Sequence, residues 1–482
     1  MAANNKKKNS PAKGKPSVGE EIHTLAIFDL NNLGSGVGRL PDGTVCFVRG
    51  AVTGDTVTVK IIKRTSSYAV GRLEATVSPS PLRTDEAFCT APEACGGCVY
   101  RHLSYEHELT AKHERVKRAF RQAGLPDVDI LPPLYAKDGD GQPRIRAYRN
   151  KGMYPVRSGK GGIEAGFFAA KSHKVIPAAD CSLQPAVFGD IVRFICRLCD
   201  EQKIPAYDEI TGKGVLRHIY LRSAADGSVM VCPVINADAW PGGKAAVDAL
   251  VDGLLSVCPR TVSIQLNVNR ASTNVVLGDR FITLHGTDYL EDVLCGKRFR
   301  ISGGSFYQVN RDAAELLYNT AMAMANLRGD EHLLDLYCGA GTIGISMADR
   351  VADVTGIEIV PEAVECAKQN AALNGLTPDR ARFFCGDASD AKTLLSAIEA
   401  NGAPSPDLAV IDPPRKGTTE ELIAEMDRRR IRRVVYISCE PETLARDCAV
   451  FRARGYTVGR VQPVDLFPRT GHVECVTEVS KP

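Results

Sequence analysis

From about residue 300 onward the chain alternates short apolar runs with longer helical patterns: HLLDLY, a helix, VTGIE, a helix, ARFFCG, a helix, DLAVID, a helix, VVYIS. Strands that are apolar on both faces, each followed by a helix that crosses back, predict βαβ units around a buried parallel sheet. Such a sheet restricts where chemistry can sit, because polar groups must come from the carboxyl ends of the strands, where open α/β folds leave a crevice. Strands ending in Asp335, Glu358, Asp412 and Cys439 would all deliver polar groups to that edge.

The upstream texture is different. Residues 20 to 78 carry short β-type runs, LAIFDL, TVCFVRG, DTVTVKIIK and YAVGRLEATV, separated by glycine turns, and Val57, Val59 and Ile61 alternate as in a half-buried strand. A small all-β barrel is the economical reading. SPSPLRTD, residues 78 to 85, has the proline and polar density of a linker, and residues 86 to 300 mix both textures. A length of 482 residues predicts two or three cores. The start, MAANNKKKNSPAKGKPSVG, has five lysines, no acid and no apolar stretch, so it reads as a disordered basic arm and not a secretory signal. No apolar run approaches the roughly 20 residues that cross a bilayer, which excludes a helical membrane protein. Sixteen cysteines diluted over so long a chain point to reduced thiols in the cytoplasm. A net charge of +3 does not identify a nucleic-acid partner by itself.

Three stretches carry the chemistry. DLYCGAGTIG, residues 335 to 344, contains G-x-G-x-x-G after a strand and before a helix, and Glu358 ends the next strand, placed to accept from both hydroxyls of a ribose. A nicotinamide dinucleotide and S-adenosylmethionine both fit that much, and a plain glycine turn with a solvated Glu is the competing reading. AVIDPPRKG, residues 409 to 417, fixes the Asp412 carboxylate between a strand and two prolines. YISCEP, residues 436 to 441, presents the Cys439 thiol at the same edge. One cysteine among sixteen is more often core than nucleophile, but a part-exposed thiol near positive charge is competent as thiolate.

Taken in order, FYQVN (306 to 310), DLYCG, GIE, DPPR, SCEP and HVE (472 to 474) resemble the family of S-adenosylmethionine-dependent RNA uracil-C5 methyltransferases. The resemblance implies that Gln308, Tyr337, Glu358 and Asp412 line the S-adenosylmethionine site, with Asp387 on its adenine side. It further implies that Cys439 is the nucleophile and Glu474 the base that removes the C5 proton. By residue type alone Glu474 reads as a solvated face of VECVTEV. Three positions depart from the family pattern: Glu440 stands where Asn is common, Arg469 where His is common, and Ser302-Gly303-Gly304 replaces a proline-containing lead.

A second constellation is Cys89, Cys95 and Cys98 in CTAPEACGGC, a C-x5-C-x2-C loop that suits zinc or an iron–sulfur centre. Resemblance to the ribosomal-RNA branch implies a [4Fe-4S] cluster, with Cys181 of Asp180-Cys181-Ser182-Leu183-Gln184 as fourth ligand. Cys196 and Cys199 compete for that place, although their helical context suits core packing. Residues 18 to 78 resemble a TRAM domain, an OB-like RNA-binding barrel, with Phe47 and Tyr68 as stacking candidates. RRRIRR, residues 428 to 433, is either a solvated helix end or a phosphate contact.

The expected architecture is therefore multi-domain: a disordered basic arm over 1–17, an OB-like TRAM barrel over 18–78, a mixed α+β central domain with the cluster loop over 79–300, and an α/β Rossmann-like methyltransferase domain over 301–482. The expected partner is RNA, 23S ribosomal RNA ahead of transfer RNA, with no membrane and monomer as the default. A non-catalytic RNA-binding iron–sulfur protein is the alternative class, and it leaves the thiol and carboxylates on one edge without a purpose.

Overall fold

A computed structural model describes residues 21–84, 88–170, 172–390, 396, 400, 402 and 404–482, so the basic arm expected over 1–17 lies outside the described residues. The chain divides into two compact units, Met1–Glu86 with Val99–His107, and Ala87–Cys98 with Glu108–Pro482.

The first unit is built on β1 (Ile22–Ala26), β2 (Asp29–Leu30), β3 (Ser35–Arg39), β4 (Val45–Arg49), β5 (Thr56–Arg64) and β6 (Tyr68–Ser78). The alternation read in β5 is real: Val57, Val59 and Ile61 are fully buried and meet Cys46, Val48 and Ala69 in a small core. Buried Asp55 closes the turn before β5, accepting from Val52 N at 2.7 Å and Ser80 N at 2.8 Å and pairing with Arg83. Among the described residues the ladder runs β1-β5-β6-β4-β3-β2 with no pairing of β1 to β2. The expected closed barrel is thus an open, curled sheet, because β2, at two residues, is too short to complete the ring. Phe47 and Tyr68 are both half-buried and pack on each other, ring centroids 5.8 Å apart.

Among its described residues the second unit contains two large sheets and a two-stranded hairpin. The first joins β8 (Lys151–Gly159), β9 (Gly162–Phe168), β10 (Val175–Pro177), β11 (Leu216–Ser223), β12 (Val229–Ile235), β13 (Thr261–Val268) and β14 (Arg280–Gly286) in the order β10-β9-β8-β11-β12-β13-β14. It shares a core with α2 (Ala186–Glu201) and α3 (Gly243–Val257), and Cys196 and Cys199 are buried there, the packing role that their helical context suggests. A hairpin, β15 (Tyr289–Leu294) and β16 (Lys297–Ser302), straddles the boundary expected at residue 300. It hydrogen-bonds onward into α6 (Pro361–Leu373), Arg300 N donating to Asn370 Oδ1 at 2.8 Å, which is why that boundary falls inside one compact unit.

The other sheet contains β7 (Leu134–Tyr135), β17 (His332–Leu336), β18 (Asp353–Glu358), β19 (Ala381–Cys385), β20 (Leu408–Ile411), β21 (Arg433–Ser438), β22 (Thr457–Asp465) and β23 (Glu474–Ser480), ordered β19-β18-β17-β20-β21-β23-β22-β7. The strands β19, β18, β17, β20 and β21 are parallel neighbours, as the alternating pattern predicts, and β23 runs antiparallel to both β21 and β22. Covering elements are α1 (Tyr105–Gln122), α4 (Arg311–Ala325), α5 (Thr342–Met347), α6, α7 (Glu420–Arg428) and α8 (Pro441–Ala453). Within RRRIRR, Arg428 and Arg429 pair with Glu425, and Arg433 pairs with Glu331 at 2.7 Å, so three of the five arginines serve the fold itself. No helix among the described residues is long and apolar enough to cross a membrane.

Candidate active site

The parallel strands end in register: Leu336 pairs with Ile357 and Ile411, and Ile411 pairs with Tyr436. The residues after those positions therefore share the carboxyl edge of the sheet. Across β21 and β23, Ser438 pairs with Cys475, so the next rung outward sets Cys439 beside Glu474. On the other side of β23, Glu474 pairs with Val464. Cys439 is half-buried, whereas Glu474 is only 4% exposed, so the solvated face expected from residue type is a buried one. The reason is topological: β23 is an interior strand of the sheet and both of its faces are covered.

These groups act on one another. Burial, then the Glu474 and Asp412 carboxyls, push the Cys439 thiol up to about 11, with Arg415 opposing them. Burial, then Asp412, raise Glu474 to about 8, again against Arg415, and burial raises Asp412 to about 7. Arg415 Nη2 lies 3.4 Å from His472 Nε2, and burial together with this guanidinium lowers the imidazole to about 4, which keeps it neutral. Sequence reasoning assigned no part to Arg415 or His472, although both stand inside quoted motifs. Carboxyl groups raised in the fold contribute stability that is fully present below their unfolded value and lost as pH rises through the folded value. Glu474→Gln should therefore leave the melting temperature of the ligand-free protein nearly unchanged at about pH 5 and raise it at about pH 9. Thermal denaturation of both proteins at the two pH values checks this.

The glycine loop lies at the head of β17. Gly344 has no room for a side chain, since a Cβ there would stand 2.7 Å from Val354 Cγ1 and 2.8 Å from Asp335 Oδ2. Asp335 does not reach the crevice: it is fully buried, its Oδ2 accepts from Gly344 N at 2.8 Å, and its Oδ1 has no hydrogen-bond partner among the described residues. A Cβ built on Gly339, by contrast, meets nothing within 4 Å, so this backbone borders open space. Glu358 stands at that opening, its Oε2 accepting from Gly339 N at 3.1 Å and its Oε1 from Val360 N at 2.9 Å. Tyr337 holds a left-handed φ of 65°, a strained conformation for a non-glycine residue, with Asp387 and Thr418 near its phenol. Gln308 is buried, with its carbonyl accepting from Asn150 Nδ2 at 2.9 Å, and Asp387 is exposed. An open cradle beside a carboxylate, with aromatic and acidic groups around it, suits the ribose and base of an adenosyl cofactor.

The cysteine loop is a separate constellation. Gly96 meets strand β9 so closely that a Cβ would lie 2.8 Å from Phe168 O. Cys89, Cys98 and Cys181 pack against Phe88, Tyr148 and Leu183, while Cys95 bridges to Ala169. Burial, then Cys181, Cys89 and Cys95, raise the Cys98 thiol to about 12, and burial raises Cys181 to about 11, with Cys89 and Cys95 adding to it. Four sulfurs in one neighbourhood match the donor chemistry of an iron–sulfur centre. They are not gathered to coordinating distance: no group of three or more His, Cys, Asp or Glu among the described residues is placed to hold a metal ion. Neutral thiols have nothing to draw them into a tetrahedron, and ionised ones repel.

Comparison with known proteins agrees with this geometry. Residues 262–481 match the family described as tRNA (Uracil-5-)-methyltransferase, and residues 18–73 match the TRAM domain. An uncharacterized RNA methyltransferase of Bacillus cereus is 38% identical over 468 residues, covering 97% of this chain and 98% of that protein. One from Clostridium acetobutylicum is 36% identical over 460 residues, covering 95% and 97%. Among solved structures, a Pyrococcus abyssi tRNA (uracil-54, C5)-methyltransferase in complex with S-adenosyl-L-homocysteine superposes with a TM-score of 0.74 at 26% identity, covering 95% of this chain and all of that one. Similarity that runs through both the TRAM region and the sheet edge bearing Cys439 and Glu474 places this chain in the RNA uracil-5-methyltransferase family.

Proposed function

We propose that this enzyme methylates C5 of a specific uridine in 23S ribosomal RNA through a covalent adduct between Cys439 and C6 of the uracil. The observation that carries the reading is the neighbouring-rung placement of Cys439 and Glu474, with Asp412 and Arg415 beside them. Uracil C5 is too weak a nucleophile to attack a sulfonium methyl. Addition of the Cys439 thiolate to C6 turns the ring into an enolate with electron density at C5. Bound S-adenosylmethionine supplies the electrophilic methyl group, which the C5 carbon takes. Glu474, as carboxylate, then removes the C5 proton, and elimination breaks the S–C6 bond and restores the thiolate. Arg415 is the cation that offsets the surrounding acids while the thiol ionises. Gln308, Tyr337, Glu358, Asp387 and Asp412 would hold the cofactor, Glu358 through the ribose hydroxyls.

Cys89, Cys95, Cys98 and Cys181 would be the ligands of a [4Fe-4S] cluster that holds the shape of the cysteine-loop region for RNA, since methyl transfer needs no electron transfer. The packing of Cys89, Cys98 and Cys181 against one apolar patch supports this, with Cys95 near enough to act on the Cys98 and Cys181 thiols. The TRAM unit offers half-buried Phe47 and Tyr68, with Lys63 Nζ 5.8 Å over the Tyr68 ring, to stack and charge-pair with RNA. A target base that is paired or stacked must be flipped out to reach the thiol, and a second RNA-holding unit helps to supply that energy. The enzyme would act in the cytoplasm as a monomer. Transfer RNA is the second reading, favoured by the fold shared along nearly the whole chain with the Pyrococcus abyssi tRNA (uracil-54, C5)-methyltransferase.

Mapping 5-methyluridine in cells with and without the gene tests the target. Loss of one or more sites in 23S rRNA is the expected result, loss in tRNA moves the target to the second reading, and loss in neither overturns both. Anaerobically purified protein should contain iron and inorganic sulfide and absorb visible light as iron–sulfur centres do, and Cys98→Ser should lose both. Zinc in their place would overturn the cluster assignment.

A further inference from the structure

One face of α1 holds both catalytic loops. Glu108, Lys112 and Arg115 are spaced i, i+4, i+7, which aligns them along a single side of the helix. Their partners are distant in sequence. Arg115 Nη2 bonds Glu440, the residue after Cys439, and Glu442 Oε2 at 2.6 Å, and Arg115 Nε bonds Glu442 Oε1 at 3.0 Å. The same guanidinium donates through Nη1 to Gly471 O at 3.1 Å, in the loop that leads to Glu474. Below it, Lys112 Nζ donates to Asp465 Oδ1 at 2.7 Å and to Phe467 O at 3.2 Å, while Glu108 Oε1 accepts from Arg469 N at 2.6 Å. Glu108, Lys112 and Asp465 are all buried. One helix thereby holds the segment after the nucleophile and, at Asp465, Phe467, Arg469 and Gly471, the loop before the base.

Glu440 is the revealing member. It occupies the N-cap of α8 without a side-chain capping bond, because its carboxylate turns to Arg115. Around Cys439 stand Glu474 from β23, Asp412 from the end of β20, Arg415 from the loop after it, and Glu440 in its own loop. Glu440 itself faces Arg115 from α1, Glu442 from α8, and Arg415.

We propose that Arg115 is a positioning residue for the methyl-transfer reaction: it ties the Cys439 loop to the Glu474 loop through one guanidinium and neutralises Glu440, so that this carboxylate does not oppose ionisation of the adjacent thiol. The inference rests on the reading of Cys439 as nucleophile. The alkylation arm of its test reads the thiol and not the reaction, so the two can fail separately: an active Cys439→Ala variant would sink the nucleophile while leaving that measurement intact.

The measurement is the pH dependence of iodoacetamide alkylation at Cys439 in the full chain, followed by mass spectrometry of the Cys439 peptide. In Arg115→Gln the midpoint should move up by on the order of one pH unit, which is about tenfold slower alkylation at a fixed pH below it. Arg115→Gln combined with Glu440→Gln should return the midpoint toward that of the parent protein, a rescue that loss of packing alone does not give. If Arg115→Gln fails to fold, Glu440→Gln alone carries the test: with Arg115 already neutralising that carboxylate and still paired to Glu442, the midpoint should stay within about half a pH unit of the parent's, and a fall of about one unit would overturn the proposal. Arg115→Lys keeps the charge but not the fork. It should keep the midpoint while kcat drops about tenfold at unchanged KM for S-adenosylmethionine. An Arg115→Gln midpoint within about half a pH unit of the parent's would overturn the proposal.

Discussion

Cys439→Ala should transfer methyl groups at least about 10⁴-fold more slowly than the parent enzyme, because without the sulfur no other group on this edge can raise the electron density at C5. Incorporation of radiolabelled methyl into RNA measures the rate. RNA carrying 5-fluorouridine supplies a second readout, since fluorine at C5 leaves the base no proton to remove and the adduct cannot resolve. The parent enzyme should form a complex with it that survives denaturing electrophoresis, and Cys439→Ala should not. S-adenosylmethionine binding should persist in the variant, because Gly339 follows β17 and Glu358 ends β18, two and three strands away from β21. A complex that still forms in Cys439→Ala would mean that another thiol is the nucleophile.

Glu474→Gln should behave differently, and the difference separates the two roles. The thiol still adds and C5 still takes the methyl, but the C5 proton stays, so a covalent enzyme–RNA species should build up on ordinary uridine while turnover falls by about 10² to 10⁴-fold. The pH profile gives an independent check. Burial and Asp412 place the Glu474 carboxyl at about 8, and it accepts a proton only when ionised. The rate of adduct resolution in the parent enzyme should therefore rise with pH through that region, and the rise should be absent in Glu474→Gln. A variant that turns over normally would remove Glu474 from the reaction.

The parallel half of the fold was legible because its signals are local: apolar runs of strand length, helical spacing between them, and acids or a thiol at their ends. Glu358 and Cys439 could be placed on one edge from that alone. Glu474 could not, because its burial depends on the antiparallel insertion of β23 between β21 and β22, and a register between distant segments leaves no trace in local periodicity. The same holds for α1. Nothing in the local sequence marks Glu108, Lys112 or Arg115, because Arg115 and Glu442 are 327 positions apart in the chain and Glu108 and Arg469 are 361 apart. The Arg469 that departs from the family pattern is accommodated there: its side chain is buried, with Nη1 3.5 Å from Glu108 Oε2 and its guanidinium 4.8 Å over the Phe88 ring. In the first unit the strands were legible and the closure was not, since a two-residue strand gives no sign in sequence of where the ring stops.

The rung that carries Cys439 and Glu474 has an evolutionary consequence. Their spacing is set by backbone hydrogen bonding between adjacent strands, which almost any apolar side chains can sustain. Segments that grip a particular RNA can accordingly diverge without retuning the bond-making step. Descendants of such a scaffold would change address long before they change chemistry.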